Sequence, residues 1–238
     1  MKELKNKEFI GLKSEIISDE LLFLNNSVSF KDNHLQNYLH KFLDAFRSSK
    51  LILLNQTHSN IVCKININEI KSSDKIIKFE GDGMCIPKNL KGFSFGIRTA
   101  DCVPIFIETQ NYYFLIHAGW KGLQSGILEQ AAKVIPNKET PFNLVIGPCA
   151  GNTKYEVGRV VSDSFNSENV VFCPHQDSNK VYLDLKLTAV KLFEYAFKVK
   201  SSQYRVEISD ICTISNLSWH SHRRDAESRG ANLMVIVT

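Results

Sequence analysis

The stretch Thr99-Ala-Asp-Cys-Val-Pro104, with His117-Ala-Gly-Trp-Lys-Gly122 after it, decides how this chain is read. Each turn follows an apolar run, Phe93-Ser-Phe-Gly-Ile97 before the first and Tyr112-Tyr-Phe-Leu-Ile116 before the second. Short runs rich in aromatic and β-branched residues predict buried strands. Ile105-Phe-Ile107 reads as a further strand and Gln110-Asn111 as a hairpin turn. Cys102 and His117 then fall at or just past strand ends, and strands about 4.8 Å apart can bring a thiol and an imidazole together. Taken singly, a cysteine is ordinarily a small buried hydrophobe, and a histidine at a strand end an ordinary polar residue.

Outward from this centre, composition sets the bounds. The chain has 238 residues, 43% hydrophobic and 23% charged, which is ordinary for a globular protein with one core. A net charge of +4 spread along the chain does not predict a nucleic-acid groove. Met1-Lys-Glu-Leu-Lys-Asn-Lys-Glu8 is charged and lacks the apolar core of a signal peptide. No stretch approaches the roughly 20 apolar residues of a membrane span. Six cysteines without a CxxC pair predict reduced thiols, so a cytoplasmic protein is expected.

Before the centre, residues 8–12 and 21–24 suggest strands, and residues 33–47 an amphipathic helix capped by Asp32 or Asn33. Leu51-Ile-Leu-Leu54 is a buried strand running into Gln56-Thr-His58. Strands are predicted over Ile61–Ile67 and Ile76–Phe79, then a turn at Glu80-Gly-Asp-Gly83. After the centre, Leu123, Ile127, Ala131 and Val134 mark one helix ended by Pro136. Val157, Val160, Val161 and Phe165 mark another, opened by Tyr155 and Glu156, and residues 185–196 a third. Residues 143–146, 170–172, 181–183, 205–209 and 233–237 read as strands, and 218–225 as a polar loop. The expected fold is mixed α/β, a single domain over residues 1–238 with mixed sheets flanked by helices.

Three metal-ligand side chains, His58, Cys102 and His117, each lie at or just beyond an apolar strand. Their spacing is far too wide for a zinc finger. Two imidazoles and a thiolate supply three corners of a tetrahedron and leave the fourth open, as in catalytic zinc sites. Such an ion lowers the pKa of bound water to near neutrality. The metal-free alternative makes Cys102 a nucleophile, with His58 or His117 as base and Asp101 or Asp82 as orienter. Arg98, Lys121, Arg223 and Arg224 are candidates for holding a phosphate. His220 and His222 are further candidate ligands, though loop polar residues are the commoner case.

These motifs resemble the YfiH family, the laccase-domain or polyphenol oxidase proteins regarded as purine nucleoside phosphorylases. The matching pieces are Gln56-Thr-His58, Asp82-Gly83, Thr99–Pro104, His117–Gly122, Ile146-Gly-Pro-Cys149, Tyr155-Glu-Val-Gly158 and Arg223-Arg-Asp225 with Arg229. The resemblance implies a mixed α/β fold and a zinc-binding, catalytic set at His58, Cys102 and His117, with copper as another associated metal. It implies phosphorolysis of adenosine, inosine and methylthioadenosine to the base and the sugar 1-phosphate, and adenosine deamination. Partners are then purine nucleosides and phosphate, with no nucleic acid or membrane; a monomer is expected, and a homodimer is the alternative. This chain departs from the family pattern in its first 50 residues, in His222 where tyrosine is common, and in Ser228 where glycine is usual.

The rival readings are a copper-dependent phenol oxidase, a metal-free cysteine hydrolase acting on cell-wall precursors, and a non-catalytic binding module. Copper oxidases use more histidine ligands and usually a methionine. Here there are seven histidines and three methionines, and His220/His222 is the one close HxH pair.

Overall fold

Phe114 and Leu115 are both fully buried, yet they face different cores. Successive side chains of a strand point to opposite faces, so their strand is covered on both sides. That explains its unbroken apolar run. The computed structural model describes residues 1–3, 11–17, 19–25, 41–135, 139–165, 168–226 and 230–238.

The described strands are β1 (Lys2–Glu3), β2 (Gly11–Lys13), β3 (Glu20–Leu24), β4 (Leu51–Asn55), β5 (Val62–Lys64), β6 (Ile76–Glu80), β7 (Gly83–Pro87), β8 (Ser94–Thr99), β9 (Val103–Glu108) and β10 (Tyr112–Ala118). After them come β11 (Asn143–Ile146), β12 (Glu156–Gly158), β13 (Phe172–Pro174), β14 (Lys180–Leu183), β15 (Arg205–Ile208) and β16 (Asn232–Val237). The helices are α1 (described over residues 41–45), α2 (Trp120–Gln124), α3 (Ile127–Val134), α4 (Arg159–Asp163), α5 (Leu185–Phe197) and α6 (His222–Asp225).

Among the described residues one sheet has the order β1-β2-β3-β16-β8-β4-β6 and a second the order β15-β11-β9-β10-β7-β5. A small third sheet is β12-β14-β13. The first two stack face to face. Ile52, Leu54, Phe95, Ile97 and Met234 of the first meet Met84, Phe106, Leu115 and Val145 of the second. The outer face of the second sheet, with Ile105, Phe114 and Ile116, packs on Leu128 and Ala131 of α3 and on Leu192 and Phe193 of α5. The outer face of the first, with Leu22, Leu53 and Val235, packs on Phe42 and Leu43. The expectation of a mixed α/β fold with sheets flanked by helices holds.

One piece of topology positions everything that follows. β4 runs parallel to both β6 and β8. The three strands therefore end at the same edge of the first sheet, and from each the chain crosses directly to the second sheet, into β5, β7 and β9. His58 lies in the first crossing, Asp82 in the second and Cys102 in the third. β10, antiparallel to β7 and β9, ends at the same edge with His117.

Local structure departs from the sequence expectations in several places. The strand predicted over 61–67 stops at Lys64, because Asn66 and Glu69 form a capping box that starts a 3-10 helix at Ile67–Ile70. The helix predicted through Leu123 to Val134 breaks at Gly126, whose φ of 82° lies in the left-handed region. Tyr155, Glu156 and Val157 do not open a helix; they lead into and form β12, and α4 starts only at Arg159. The polar loop at 218–225 ends in the short helix α6. The helix predicted over 33–47 lies largely outside the described residues.

Candidate metal centre at the strand crossings

His58, Cys102 and His117 come together: one donor atom from each lies within 4.8 Å of the others. Among the described residues this is the one such group of His, Cys, Asp or Glu side chains. A tetrahedral zinc with His and Cys ligands holds its donors roughly 3.5 Å apart, so a small closure suffices. Access is graded. His58 is exposed, Cys102 half-buried and His117 buried. The group can be reached from the His58 side and is walled off by the sheets behind.

Asp82 is the scaffold of this group. It is fully buried, and its carboxylate accepts from His117 Nδ1 at 2.8 Å. It also accepts from the backbone N–H groups of Thr57 (3.2 Å), His58 (3.0 Å) and Ser59 (2.6 Å), and from the Ser59 hydroxyl (2.6 Å). One carboxylate thus fixes the ring of one imidazole and the backbone that carries the other. Burial alone would raise the Asp82 carboxyl, but the hydrogen bonds from His117 and Ser59 outweigh it and hold the group well below the ordinary carboxylate range. With Nδ1–H donated to a carboxylate, the lone pair of His117 is on Nε2, the arrangement of a metal-binding histidine.

The thiol fits the same role. Burial would raise Cys102, but His117 and His58 beside it bring it down to about 7. Burial would lower His117, but its bonds to Asp82 and Cys102 raise it to about 9. A thiolate is the form that ligates a metal. Two nitrogens and one sulfur, held by separate crossings, fit a zinc or copper ion by donor chemistry.

Two backbone features shape the site. His58 and Asp101 both have positive φ, 61° and 83°. Such non-glycine residues are uncommon and collect at functional sites. Gly119 leaves the room the ligands need: a Cβ there would lie 2.8 Å from Cys102 Sγ and 3.1 Å from His58 Cδ2.

The other sequence candidates scatter around this centre. Of the two candidate orienters of the histidine base, Asp82 is the one bonded to His117, and Asp101 faces elsewhere. Its buried carboxylate accepts from Thr213 Oγ1, Ser221 Oγ and the Arg223 N–H. Arg223 is exposed, with its guanidinium carbon 5.0 Å from the centre of the Tyr155 ring and Nη1 donating to the Glu156 carbonyl. Lys121 is exposed on α2, with Nζ 5.7 Å from the Trp120 ring centre. Arg98 is half-buried in β8 and donates to the Leu54 carbonyl at 3.4 Å. Arg224 spends its guanidinium on the Asp225 carboxylate and on the carbonyls of Thr213, Ile214, Asn216 and Trp219. His220 packs against Gly230, His222 is exposed at the start of α6, and neither joins the metal-ligand group. Glu156 pairs with His175 and Lys180.

Sequence reasoning passed over Gly119, Tyr155 and Gln56 as site-forming residues. Gln56 uses its side-chain amide as a strand would, accepting from the Arg98 N–H and donating to the Arg98 carbonyl. It closes the gap where β4 leaves β8. A polar residue directly after a buried strand was the only hint of that role.

Comparison with known proteins adds the following. A family described as "Multi-copper polyphenol oxidoreductase laccase" matches residues 19–238. A protein of Aquifex aeolicus named purine nucleoside phosphorylase is 31% identical over 184 residues, 73% of this chain and 83% of that protein. One of Shigella flexneri, named purine nucleoside phosphorylase YfiH, is 26% identical over 185 residues, 74% of this chain and 70% of that one. The crystal structure of the Bacillus licheniformis hypothetical protein YfiH superposes with a TM-score of 0.79 at 21% identity, covering 98% of this chain and 97% of that one.

Proposed function

The chain belongs to the multi-copper polyphenol oxidoreductase laccase family that includes the YfiH proteins, and from that premise we propose that it is a metal-dependent purine nucleoside phosphorylase. The observation that carries this is the convergence of His58, Cys102 and His117 within 4.8 Å, locked by Asp82. The names of the Aquifex and Shigella relatives support the reaction class. The substrates we assign are adenosine, inosine and methylthioadenosine, with inorganic phosphate. A phosphate oxygen forms a bond to the anomeric carbon as the bond to the purine nitrogen breaks, and the base leaves with the electron pair.

His58, Cys102 and His117 would hold zinc, with copper as the alternative ion. A bound zinc supplies a Lewis acid with an open coordination position. The protein's own residues do the rest. Asp82 keeps His117 in one tautomer, and the sheets behind exclude water from that side. Arg223 and Lys121, both exposed beside aromatic rings, supply positive charge for the phosphate. Arg98 and Arg224 remain candidates for the same anion; in this structure Arg98 also donates to the Leu54 carbonyl and Arg224 to backbone carbonyls and Asp225. The same group would support hydrolytic deamination of adenosine with water as co-substrate.

Purified protein with its metal content measured should release hypoxanthine from inosine only when phosphate is present. Base release without phosphate dependence would rule out phosphorolysis. Oxygen uptake with a phenol that tracks copper content would favour the oxidase reading. Turnover that survives a chelator but not a thiol alkylator would favour the cysteine hydrolase.

A further inference from the structure

Asp101 stands directly before the ligand Cys102, and no step above uses its carboxylate. It is buried, it sits at a φ of 83°, and it is gripped from both ends. Its carbonyl accepts from the Ala150 N–H at 2.9 Å. Its Oδ1 accepts from Thr213 Oγ1 at 2.7 Å, and its Oδ2 from Ser221 Oγ at 3.0 Å and from the Arg223 N–H at 2.7 Å. A left-handed aspartate persists only where its surroundings over-determine it. Here what it fixes is the backbone of Arg223. The Arg223 side chain then lies over Tyr155, whose phenol is within electrostatic reach of Cys102, Arg223 and Asp101 alike. Nη1 is spent on the Glu156 carbonyl. Among the described residues the guanidinium makes no further hydrogen bond, and Arg223 is exposed.

We propose that Asp101 is a positioning residue that sets the Arg223 guanidinium beside the His58–Cys102–His117 group, where it takes the phosphate co-substrate. The inference rests on the phosphorolytic reading for the reaction, but its geometry concerns phosphate binding alone. One short segment, Asp101-Cys102, would hold the metal-binding sulfur with one residue and aim the anion-binding arm with the other. The distance between the two subsites is thereby set by adjacent residues.

The test uses the zinc-loaded full chain. Asn tolerates the left-handed backbone, so Asp101→Asn keeps the turn while offering one oxygen to three donors. It should retain full zinc content and the wild-type KM for inosine. The KM for phosphate should rise about tenfold, and the Kd for inorganic phosphate by titration calorimetry should rise equally. Arg223→Gln should show the same defect, and the double variant should be no worse than Arg223→Gln alone. Thr213→Val, which removes one bond to Asp101, should raise both phosphate constants about threefold; it replaces Asp101→Asn in the cycle if that variant fails to fold. Unchanged phosphate constants in Asp101→Asn, or losses that add fully in the double variant, would overturn the proposal. If the wild type binds phosphate but does not cleave inosine, the phosphorolytic reading falls while the calorimetric cycle still decides the role of Asp101. A wild type that does not bind phosphate overturns both.

Discussion

The Nδ1 of His117 lies 2.8 Å from Oδ1 of Asp82, and the same oxygen accepts from the backbone of His58 at 3.0 Å. The two imidazoles are therefore tied to each other through one carboxylate. Asp82→Asn should weaken zinc binding roughly 10–100-fold, the usual effect of losing a group that orients a ligand. Competition against a coloured chelator measures it, and wild-type affinity in that variant would show that Asp82 only makes a turn.

Removal of the sulfur should be more severe. Cys102→Ala is expected to lose most bound zinc and both base release and ammonia release from adenosine. Metal analysis and the two product assays on one preparation check this. Full metal content with wild-type turnover would end the assignment.

Gly119 has φ −79° and ψ 177°, a backbone that alanine adopts freely. Among the described residues the nearest obstacles to a methyl group there are Cys102 Sγ at 2.8 Å and His58 Cδ2 at 3.1 Å. Gly119→Ala should fold normally yet lower zinc affinity at least roughly tenfold. A normal melting temperature together with reduced metal content is the expected pattern.

Alkylation should separate Cys102 from the three thiols whose pKa burial raises. In chelator-stripped protein Cys102 should react with iodoacetamide along a curve half-maximal near pH 7, because its neighbouring imidazoles bring it to about 7. The sign follows from the thiolate being the reactive form: the rate rises through that pH and levels off above it. Burial pushes Cys63, Cys85 and Cys149 up to about 12, so they should stay unlabelled across the neutral range. Added zinc should protect Cys102. Peptide mass mapping reads all four at once.

Phe106 is fully buried between the two stacked sheets. Phe106→Ala should cost about 3–5 kcal/mol in chemical denaturation. Substitution of exposed Val160 should change little, which separates core loss from general sensitivity.

The strands at the centre were legible because both faces of β8, β9 and β10 are covered, so their apolar runs are continuous. The convergence of His58, Cys102 and His117 was legible because each stands at or just beyond such a run. Asp82 was harder. Between two glycines it looks like a turn residue, and only burial of the crossing from β6 to β7 shows its five hydrogen-bond donors. Gly119 and Asp101 act through contacts with residues far away in sequence, which no local pattern records. The break at Gly126 and the strand at Glu156 were misread for a related reason. Helical spacing continues through both, and tertiary packing and a left-handed glycine override it.

The parallel trio β4, β6 and β8 has a consequence for how the protein comes apart. Its three crossings bring His58, Asp82 and Cys102 to one point only while the sheets lie stacked. An ion held there would act as a rivet through both layers, and prying them apart would tear it out. On slow heating, then, ion release and loss of the near-ultraviolet aromatic signal should follow a single time course, and an ion that escapes long before the layers part would show that the rivet carries no strain.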